Sequence, residues 1–215
     1  MSPTISTEQP LAGTDLSVRA ALYGLFARLL RGAPSESLLR DVVQGNLLTV
    51  AEQGAQHPVE DGQWPEQAEA IAVDYARLFA VPGEQAVQPY ESVYCDTLTI
   101  DTSTACSPYF EPEPHPGGLT GFLYGPSAIA VREVYRRAGF ELDAASHELP
   151  DHLAIELEFM GRLLERGDCE QAKVFFSEHL GRWVFRCLED IAQRTTSGFY
   201  RAVARALATA LHVEL

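Results

Sequence analysis

Two short segments of the 215-residue chain combine side-chain types that recognise ligands or transfer protons. Residues 88–94 have the sequence QPYESVY, in which aromatic rings, a carboxylate and a hydroxyl lie beside a proline that fixes φ. Residues 148–153 have the sequence ELPDHL, and Glu156 follows. Each segment also has a plain structural interpretation: the tyrosines pack on a core, and Pro150 and Asp151 begin a helix. The spacing alone favours the structural interpretation of both.

An acid/base pair is the catalytic arrangement that these segments suggest. Asp151 and His152 would have to act together within a cleft. Adjacent residues at a helix start diverge by about 100° in direction, so the two side chains do not converge on one proton without special geometry. An enzyme that uses Asp151 and His152 is therefore the weaker alternative to a binding protein.

Other catalytic and cofactor signatures are missing from the sequence. The six histidines form no HExxH arrangement, and the five-residue spacing of His147 and His152 does not place both on one helical face. No GxSxG elbow is present. Glycines cluster between residues 117 and 125, but Lys173 is the only lysine, so a phosphate loop would lack its lysine. We expect no metal and no cofactor.

The charge balance indicates which partners suit the chain. It carries 30 acidic and 16 basic residues, which gives a formal net charge of -14 at pH 7. A field of this sign repels phosphate backbones and argues against nucleic-acid binding. It attracts a cationic partner, for example a peptide carrying arginines. Acidity that serves only solubility would give the same composition.

The sequence also indicates a compartment. Residues 1–13 lack the basic start and apolar run of a signal peptide, and no stretch reaches the roughly 18 uninterrupted apolar residues of a membrane span. We expect a soluble, cytoplasmic protein with no membrane span. A chain of this length builds a core without disulfides, so reduced thiols are expected at Cys95, Cys106, Cys169 and Cys187.

Helical periodicity dominates the elements that must position these residues. Predicted helix starts lie at or beside Thr14, Ser35, Pro65, Pro150, Asp168 (a capping box with Gln171) and Ser197. Gly139 is expected just past a helix end, and residues 54–62 are expected to form a loop. Residues 81–125 have no sustained period. We therefore predict an all-α, single-domain helical bundle over residues 14–215, with a flexible tail at 1–13 and a long irregular central loop.

Taken together in chain order, these segments resemble the TorD/DmsD family of molybdoenzyme maturation chaperones. The resemblance covers about two thirds of the chain. It rests on residues 74–79 with Pro82, 89–94, 123–127, 148–152 with Glu156 and Leu157, His179 and Leu180 ahead of Trp183, and Phe199 with Tyr200. The individual motifs are short, and the specificity comes from the ordered set.

The resemblance implies a helical bundle that is not an enzyme. It implies binding of the twin-arginine signal peptide and apo catalytic subunit of a molybdopterin oxidoreductase of the DMSO reductase superfamily, with help in cofactor insertion and delay of export. Carboxylates would pair with arginine, and aromatic rings would cover the apolar part of the peptide. The implied signal-peptide-binding residues are Tyr75, Phe79, Pro89, Tyr90, Glu91, Ser92, Tyr94, Asp151, His152 and Glu156.

Residues 97–122 depart from the smaller family members as an insertion. The insertion is similar to forms that serve dehydrogenases and oxyanion reductases, so the resemblance implies a client like the ethylbenzene, dimethylsulfide, selenate or chlorate enzymes. Within it, residues 101–118 are predicted to be mobile in the absence of a client. The sequence leaves open a permanent acidic helical subunit of an oxidoreductase complex, and a monomer or a homodimer.

Overall fold

A computed structural model describes residues 12–45, 63–98, 119–120, 123–142 and 148–212. Within these ranges the chain forms nine α-helices and one pair of two-residue strands. The helices are α1 (Ala12–Arg31), α2 (Glu36–Gln44), α3 (Trp64–Tyr75), α4 (Glu91–Cys95), α5 (Pro126–Arg137), α6 (Leu153–Glu165), α7 (Cys169–Glu178), α8 (Val184–Arg194) and α9 (Gly198–Leu211). The strands are β1 (Thr97–Leu98) and β2 (Leu119–Thr120). The prediction of an all-α fold is confirmed.

Helix α6 is the central element, because ten of its thirteen residues are buried. It packs against α1 on one side and α7 on another, while α8 packs against α9. At the α1–α6 contact, a Cβ added to Gly161 would lie 3.2 Å from the carbonyl oxygen of Ala20 and 3.4 Å from Cβ of Tyr23. Glycine therefore suits this close approach, because an added Cβ would require a shift of a few tenths of an ångström.

Aromatic rings fill the core between α5, α6 and α7. The Tyr135 and Phe159 ring centroids are 4.6 Å apart, and those of Phe159 and Phe175 are 4.8 Å apart. Phe140 closes the cluster with its centroid 5.3 Å from that of Tyr135. Tilted and edge-on ring pairs of this kind contribute stability beyond that of the buried apolar area. They therefore fix the packing of α5 and α7 against α6.

Three predicted helix boundaries are confirmed. The Ser35 hydroxyl accepts a hydrogen bond from the Leu38 amide at 3.2 Å, and the Ser197 hydroxyl accepts one from the Tyr200 amide at 3.3 Å. Gly139 follows α5 with a φ of +68°, which suits a residue without a Cβ.

Two other boundary predictions are wrong, and a third is right in position but not in its capping bond. Helix α1 begins at Ala12, so Thr14 lies inside the helix rather than at its N-cap. Asp168 lies at the N-cap of α7 as predicted, but its side chain makes no capping hydrogen bond. Helix α6 begins at Leu153 rather than at Pro150, because the His152 side chain caps it. The last shift takes Asp151 out of the helix and leaves its carboxylate available to another segment.

The irregular region at residues 81–125 contains a short helix and a pair of short strands that periodicity did not predict. Helix α4 occupies Glu91–Cys95, and β1 pairs with β2 in antiparallel register, Thr97 opposite Thr120. The predicted insertion, residues 97–122, begins at β1 and includes β2. Most of it, the predicted mobile loop at 101–118, the loop at 54–62 and the tail up to residue 11 lie outside the described residues.

The end of α3 is anchored to the start of α9 by Asp74. Its carboxylate accepts hydrogen bonds from the Thr195 hydroxyl at 2.6 Å and from the Thr196 hydroxyl and amide at 2.7 and 3.1 Å. Burial raises the pKa of Asp74, but hydrogen bonds from Thr195, Thr196 and Ser197 outweigh it, so the pKa is lowered. This anchor holds the π-helical turn Ala76–Ala80 that continues α3.

We expect Gly161→Leu to destabilise the protein by about 1–3 kcal/mol, because the added side chain forces α1 away from α6. Gly24→Ala on α1 is the matched control, since a Cβ at Gly24 meets nothing within 4 Å. It should raise stability by about 0.5–1 kcal/mol through helix propensity. Denaturant unfolding of both variants measures the difference. Equal stabilities would show that the α1–α6 contact tolerates a side chain.

Candidate functional site

The structure joins the two segments that the sequence analysis singled out. The Glu91 amide donates to the carbonyl oxygen of Asp151 at 2.9 Å, and the Leu153 amide donates to the carbonyl oxygen of Pro89 at 2.8 Å. These bonds form an antiparallel bridge between residues 89–91 and the start of α6. We call this arrangement the backbone clamp. It fixes α4 relative to the central helix.

Asp151 strengthens the backbone clamp with its side chain. The carboxylate is 0% exposed, and its Oδ2 accepts a hydrogen bond from the Ser92 amide at 2.9 Å. Since Ser92 lies in the first turn of α4, the carboxylate meets one of the helix's otherwise unpaired N–H groups. The expected surface contact of Asp151 with an arginine is not available in this conformation, because the side chain faces the protein's own backbone.

His152 is buried and serves as the N-cap of α6. Its Nδ1 accepts a hydrogen bond from the Ala154 amide at 3.1 Å, so the proton of the neutral ring is on Nε2, which lies 3.9 Å from Glu148 Oε2. Burial lowers the pKa of His152 to about 4, although the Glu148 charge opposes this shift. Asp151 and His152 thus bond to different backbone groups, and the structure does not bring them together as an acid/base pair.

Half-buried aromatic rings lie beside the backbone clamp. The Tyr75 and Phe79 ring centroids are 5.1 Å apart, and Tyr90 packs edge-on against His152 at 5.0 Å. The Tyr90 hydroxyl donates to Glu148 Oε2 at 3.1 Å. Burial is the main cause that raises the pKa values of Tyr75 and Tyr90, and the nearby Glu148 charge raises them further. Both side chains therefore remain neutral phenols. We call Tyr75, Phe79 and Tyr90 the aromatic patch.

Glu148 is the first residue of the ELPDHL segment at residues 148–153 but is not among the predicted site residues. Its side chain is 34% exposed, whereas those of Glu91, Asp151 and Glu156 are fully buried. Residue type alone does not separate these carboxylates. The one signal in the sequence is position: Glu148 precedes the helix cap by four residues and therefore lies outside the helix start.

Glu91 and Glu156 form a buried polar cluster on the far side of α4. Glu91 Oε2 accepts a hydrogen bond from His179 Nδ1 at 3.0 Å, and Glu156 Oε2 accepts one from Trp183 Nε1 at 3.2 Å. Arg182 approaches Glu91 Oε1 at 3.9 Å. Burial and the neighbouring Glu91 charge raise the pKa of Glu156 well above its usual value. In this conformation each carboxyl group is hydrogen-bonded to another side chain of the protein, His179 or Trp183.

Tyr94 contacts a different set of residues from the aromatic patch. Its ring stacks on Trp183 with centroids 5.6 Å apart, and its hydroxyl donates to Asp190 Oδ2 at 2.8 Å. The Arg186 guanidinium lies over the ring and donates to the Tyr94 carbonyl oxygen at 2.8 Å. The predicted site residues thus separate into the aromatic patch, the backbone clamp and a group packed against α8 and its preceding turn.

The part of the chain that the structure describes contains no cluster of three or more His, Cys, Asp or Glu side chains able to hold a metal ion. Among the described helices, none is long and apolar enough to cross a membrane. Cys95, Cys169 and Cys187 are free thiols, and Cys106 lies outside the described residues.

Fold and site define an all-α protein in which a buried clamp supports an aromatic patch with a carboxylate beside it. The model of the nitrate reductase delta subunit family matches residues 43–189, about two thirds of the chain. The chain belongs to this family.

Named relatives agree with this assignment. The chain is 22% identical to the chaperone protein TorD of Shewanella pealeana over 205 residues, which cover 94% of this chain and 90% of the relative. It is 26% identical to the Tat proofreading chaperone DmsD of Salmonella typhi over 148 residues, 66% of this chain and 67% of the relative. The resemblance to TorD/DmsD chaperones is confirmed, and these relatives are named as chaperones rather than enzymes.

A solved structure is also similar along nearly the whole chain. It is an Archaeoglobus fulgidus protein described as a redox enzyme maturation protein. The match has a TM-score of 0.48 and 22% identity, and covers 98% of this chain and 99% of the other.

The backbone clamp predicts a stability cost for Asp151→Ala of about 1–3 kcal/mol, because the Ser92 amide loses its buried acceptor. Asp151→Asn keeps an acceptor and should cost about 0.5–1 kcal/mol. Asp168→Ala is the control, since this exposed aspartate makes no capping bond, and it should cost at most about 0.5 kcal/mol. Denaturant unfolding gives the three values. Equal losses for both alanine variants would contradict the role of Asp151 in the clamp.

The lowered pKa of His152 predicts that acid destabilises the folded protein. The folded pKa of about 4 lies below the ordinary value of 6.5, so the unfolded chain binds more protons between these values and stability falls as pH drops through that window. His152→Asn keeps a capping acceptor and should remove about 3 kcal/mol of this loss. Urea unfolding at a series of pH values measures it, with the exposed His212→Asn as control. An unchanged acid limb in His152→Asn would refute the prediction.

Proposed function

We propose that the protein is a cytoplasmic chaperone that binds the twin-arginine signal peptide and the apo catalytic subunit of a molybdopterin oxidoreductase of the DMSO reductase superfamily. It assists cofactor insertion and holds back export until the subunit is complete. Membership of the nitrate reductase delta subunit family and relatives named as TorD and as a Tat proofreading chaperone support this proposal.

The observation that carries the proposal is the aromatic patch with Glu148 at its edge. The carboxylate is partly exposed and orients Tyr90 through a hydrogen bond of 3.1 Å. A carboxylate next to neutral aromatic rings suits a guanidinium group, which can form charge-assisted hydrogen bonds and stack on a ring at the same time. Glu148 is therefore the proposed partner of a leader arginine.

The aromatic patch provides the apolar part of the proposed site. Tyr75, Phe79 and Tyr90 are each only partly buried, and Phe79 and Tyr75 pack on the buried Tyr200 with centroids 5.8 and 6.0 Å away. Rings held from behind in this way lose little conformational entropy when a peptide covers them. The apolar segment that follows the arginines of a leader is the proposed ligand of this patch.

The other predicted site residues have a supporting role in this proposal. Pro89, Ser92, Asp151 and His152 form the backbone clamp, while Glu91 and Glu156 fasten α4 from the opposite side. They hold the tyrosines of residues 89–94 in place without contacting the peptide. The proposed contacts are accordingly with Glu148, Tyr75, Phe79 and Tyr90.

A permanent subunit of an oxidoreductase complex is the second candidate, because the matching family is described as a nitrate reductase delta subunit. Purification of the protein's oxidoreductase partner distinguishes the two. A chaperone accompanies the apo catalytic subunit and is absent from the mature, exported enzyme, whereas a subunit remains in it.

We expect the protein to bind a fluorescently labelled twin-arginine leader peptide, with an affinity that falls as salt is added, because exposed charge pairs are screened within about 8 Å at physiological ionic strength. Glu148→Gln and Tyr90→Ala should each weaken binding by about 2 kcal/mol, near thirtyfold. Asp151→Asn should bind at close to wild-type strength once the variant is folded.

The charge-matched control is Glu170→Gln, an exposed change on α7 that should alter affinity by no more than about twofold. A leader whose two arginines are replaced by glutamine tests the peptide side. If the wild-type protein binds both peptides equally, or if binding ignores salt, the proposed arginine recognition is wrong. If Asp151→Asn abolishes binding while Glu148→Gln leaves it intact, the contacting carboxylate is Asp151.

A further inference from the structure

Two carboxyl groups lie in the interior near the start of α4 and the start of α6. Glu91 and Glu156 are each 0% exposed. One oxygen of each is occupied, by His179 and by Trp183 respectively. The other oxygen of each, Oε1 in both residues, is buried without a hydrogen-bond partner when both groups are taken as carboxylates. Unpaired buried carboxylate oxygens are costly, so this arrangement needs an explanation.

The hydrogen-bond roles around the pair leave the two Oε1 atoms as the positions between which a proton can be shared. The indole N–H of Trp183 can only donate, so Glu156 Oε2 is an acceptor and a proton on Glu156 must be on Oε1. His179 donates from Nδ1 to Glu91 Oε2, which leaves Glu91 Oε1 as a free acceptor. Besides burial, the Glu91 side chain raises the pKa of Glu156 through its charge and through a hydrogen bond, which identifies it as the neighbour of that carboxyl group. A single proton on Glu156 thus satisfies both buried oxygens.

The surrounding charges also disfavour two ionised carboxylates. Asp151, ahead of α6, adds a third buried acidic group, and the Tyr135 hydroxyl of α5 and the Cys187 thiol of α8 are neutral neighbours of the pair. The nearest cationic group is Arg182, whose side chain is 55% exposed and lies 3.9 Å from Glu91 Oε1. His179 adds a second positive charge only when its ring is protonated. One largely solvated arginine does not balance two buried negative charges.

We infer that Glu156 is protonated at neutral pH and donates a hydrogen bond to Glu91, so that one shared proton fastens α4 to α6, and that loss of this proton loosens the segment at residues 89–94. Ionised, the two carboxylates repel each other between α4 and α6. Because Tyr90 directly precedes α4, the loosening reaches the aromatic patch; this last step rests on the proposed function.

Infrared spectroscopy tests the proton directly. At neutral pH the folded wild-type protein should show the C=O stretch of a protonated, buried carboxylic acid. The band should be missing from Glu156→Gln and present in Asp151→Asn, which is the matched control at a neighbouring buried carboxylate. A wild-type spectrum without this band, or a band that survives in Glu156→Gln, would overturn the inference. The wild-type measurement decides the question even if a variant fails to fold.

Thermal melting tests the consequence for the fold. A carboxyl group whose pKa is raised on folding stabilises the protein at low pH, and this contribution is lost as pH rises from its unfolded value towards the folded one. Glutamine keeps the acceptor for Trp183 and supplies a donor to Glu91. The Tm of Glu156→Gln should therefore exceed that of the wild type increasingly as pH rises above the unfolded pKa of glutamate. A Tm difference that is the same at every pH, or a Tm below the wild type throughout, contradicts the shared proton.

Leader binding over the same pH range gives the functional measurement. Wild-type affinity should decline towards alkaline pH more steeply than that of Glu156→Gln. If no leader binds at any pH while the infrared and melting results hold, the proposed function fails and the shared proton stands. If leader binding is normal but the infrared band is missing, the shared proton fails and the proposed function stands.

Discussion

The need to satisfy polar groups at the buried start of α6 governs the arrangement of the whole site. The helix is enclosed by other elements along nearly its full length, so its N-terminal N–H groups and the side chains beside them have little access to water. His152 pairs with one such group from within its own segment. Residues 89–92 supply the other partners, from about sixty positions earlier in the chain, through the bonds of the backbone clamp.

This constraint explains why a segment without regular periodicity has a defined structure. Helix α4 has five residues and is too short to be stable through its own hydrogen bonds. It is held instead by Asp151 at its first turn, by Glu91 directed towards His179, and by Asp96, which accepts hydrogen bonds from the Ser127 amide and hydroxyl at 3.0 and 2.6 Å. Tertiary contacts alone position the tyrosines that flank it.

The sequence predicted the long helices because their apolar residues repeat at helical spacing, and local capping by Ser35 and Ser197 follows from residue type. It did not predict α4, or the start of α6 at Leu153, because both depend on contacts between distant segments. Pro150 and Asp151 have the composition of a helix start. The Asp151 carboxylate is instead used by Ser92, 59 positions away, and no local pattern contains that information.

The same limit applies to the candidate site, where residue type indicated recognition but did not distinguish buried carboxyl groups from the partly exposed one. A buried carboxylate makes a fixed, weakly screened interaction with its immediate neighbours, whereas an exposed one contributes to the field that a cationic partner meets in solution. Glu91 and Asp151 belong to the first kind and Glu148 to the second. In this structure the buried carboxylates therefore hold the segment that carries Tyr90, and the partly exposed Glu148 lies beside its ring.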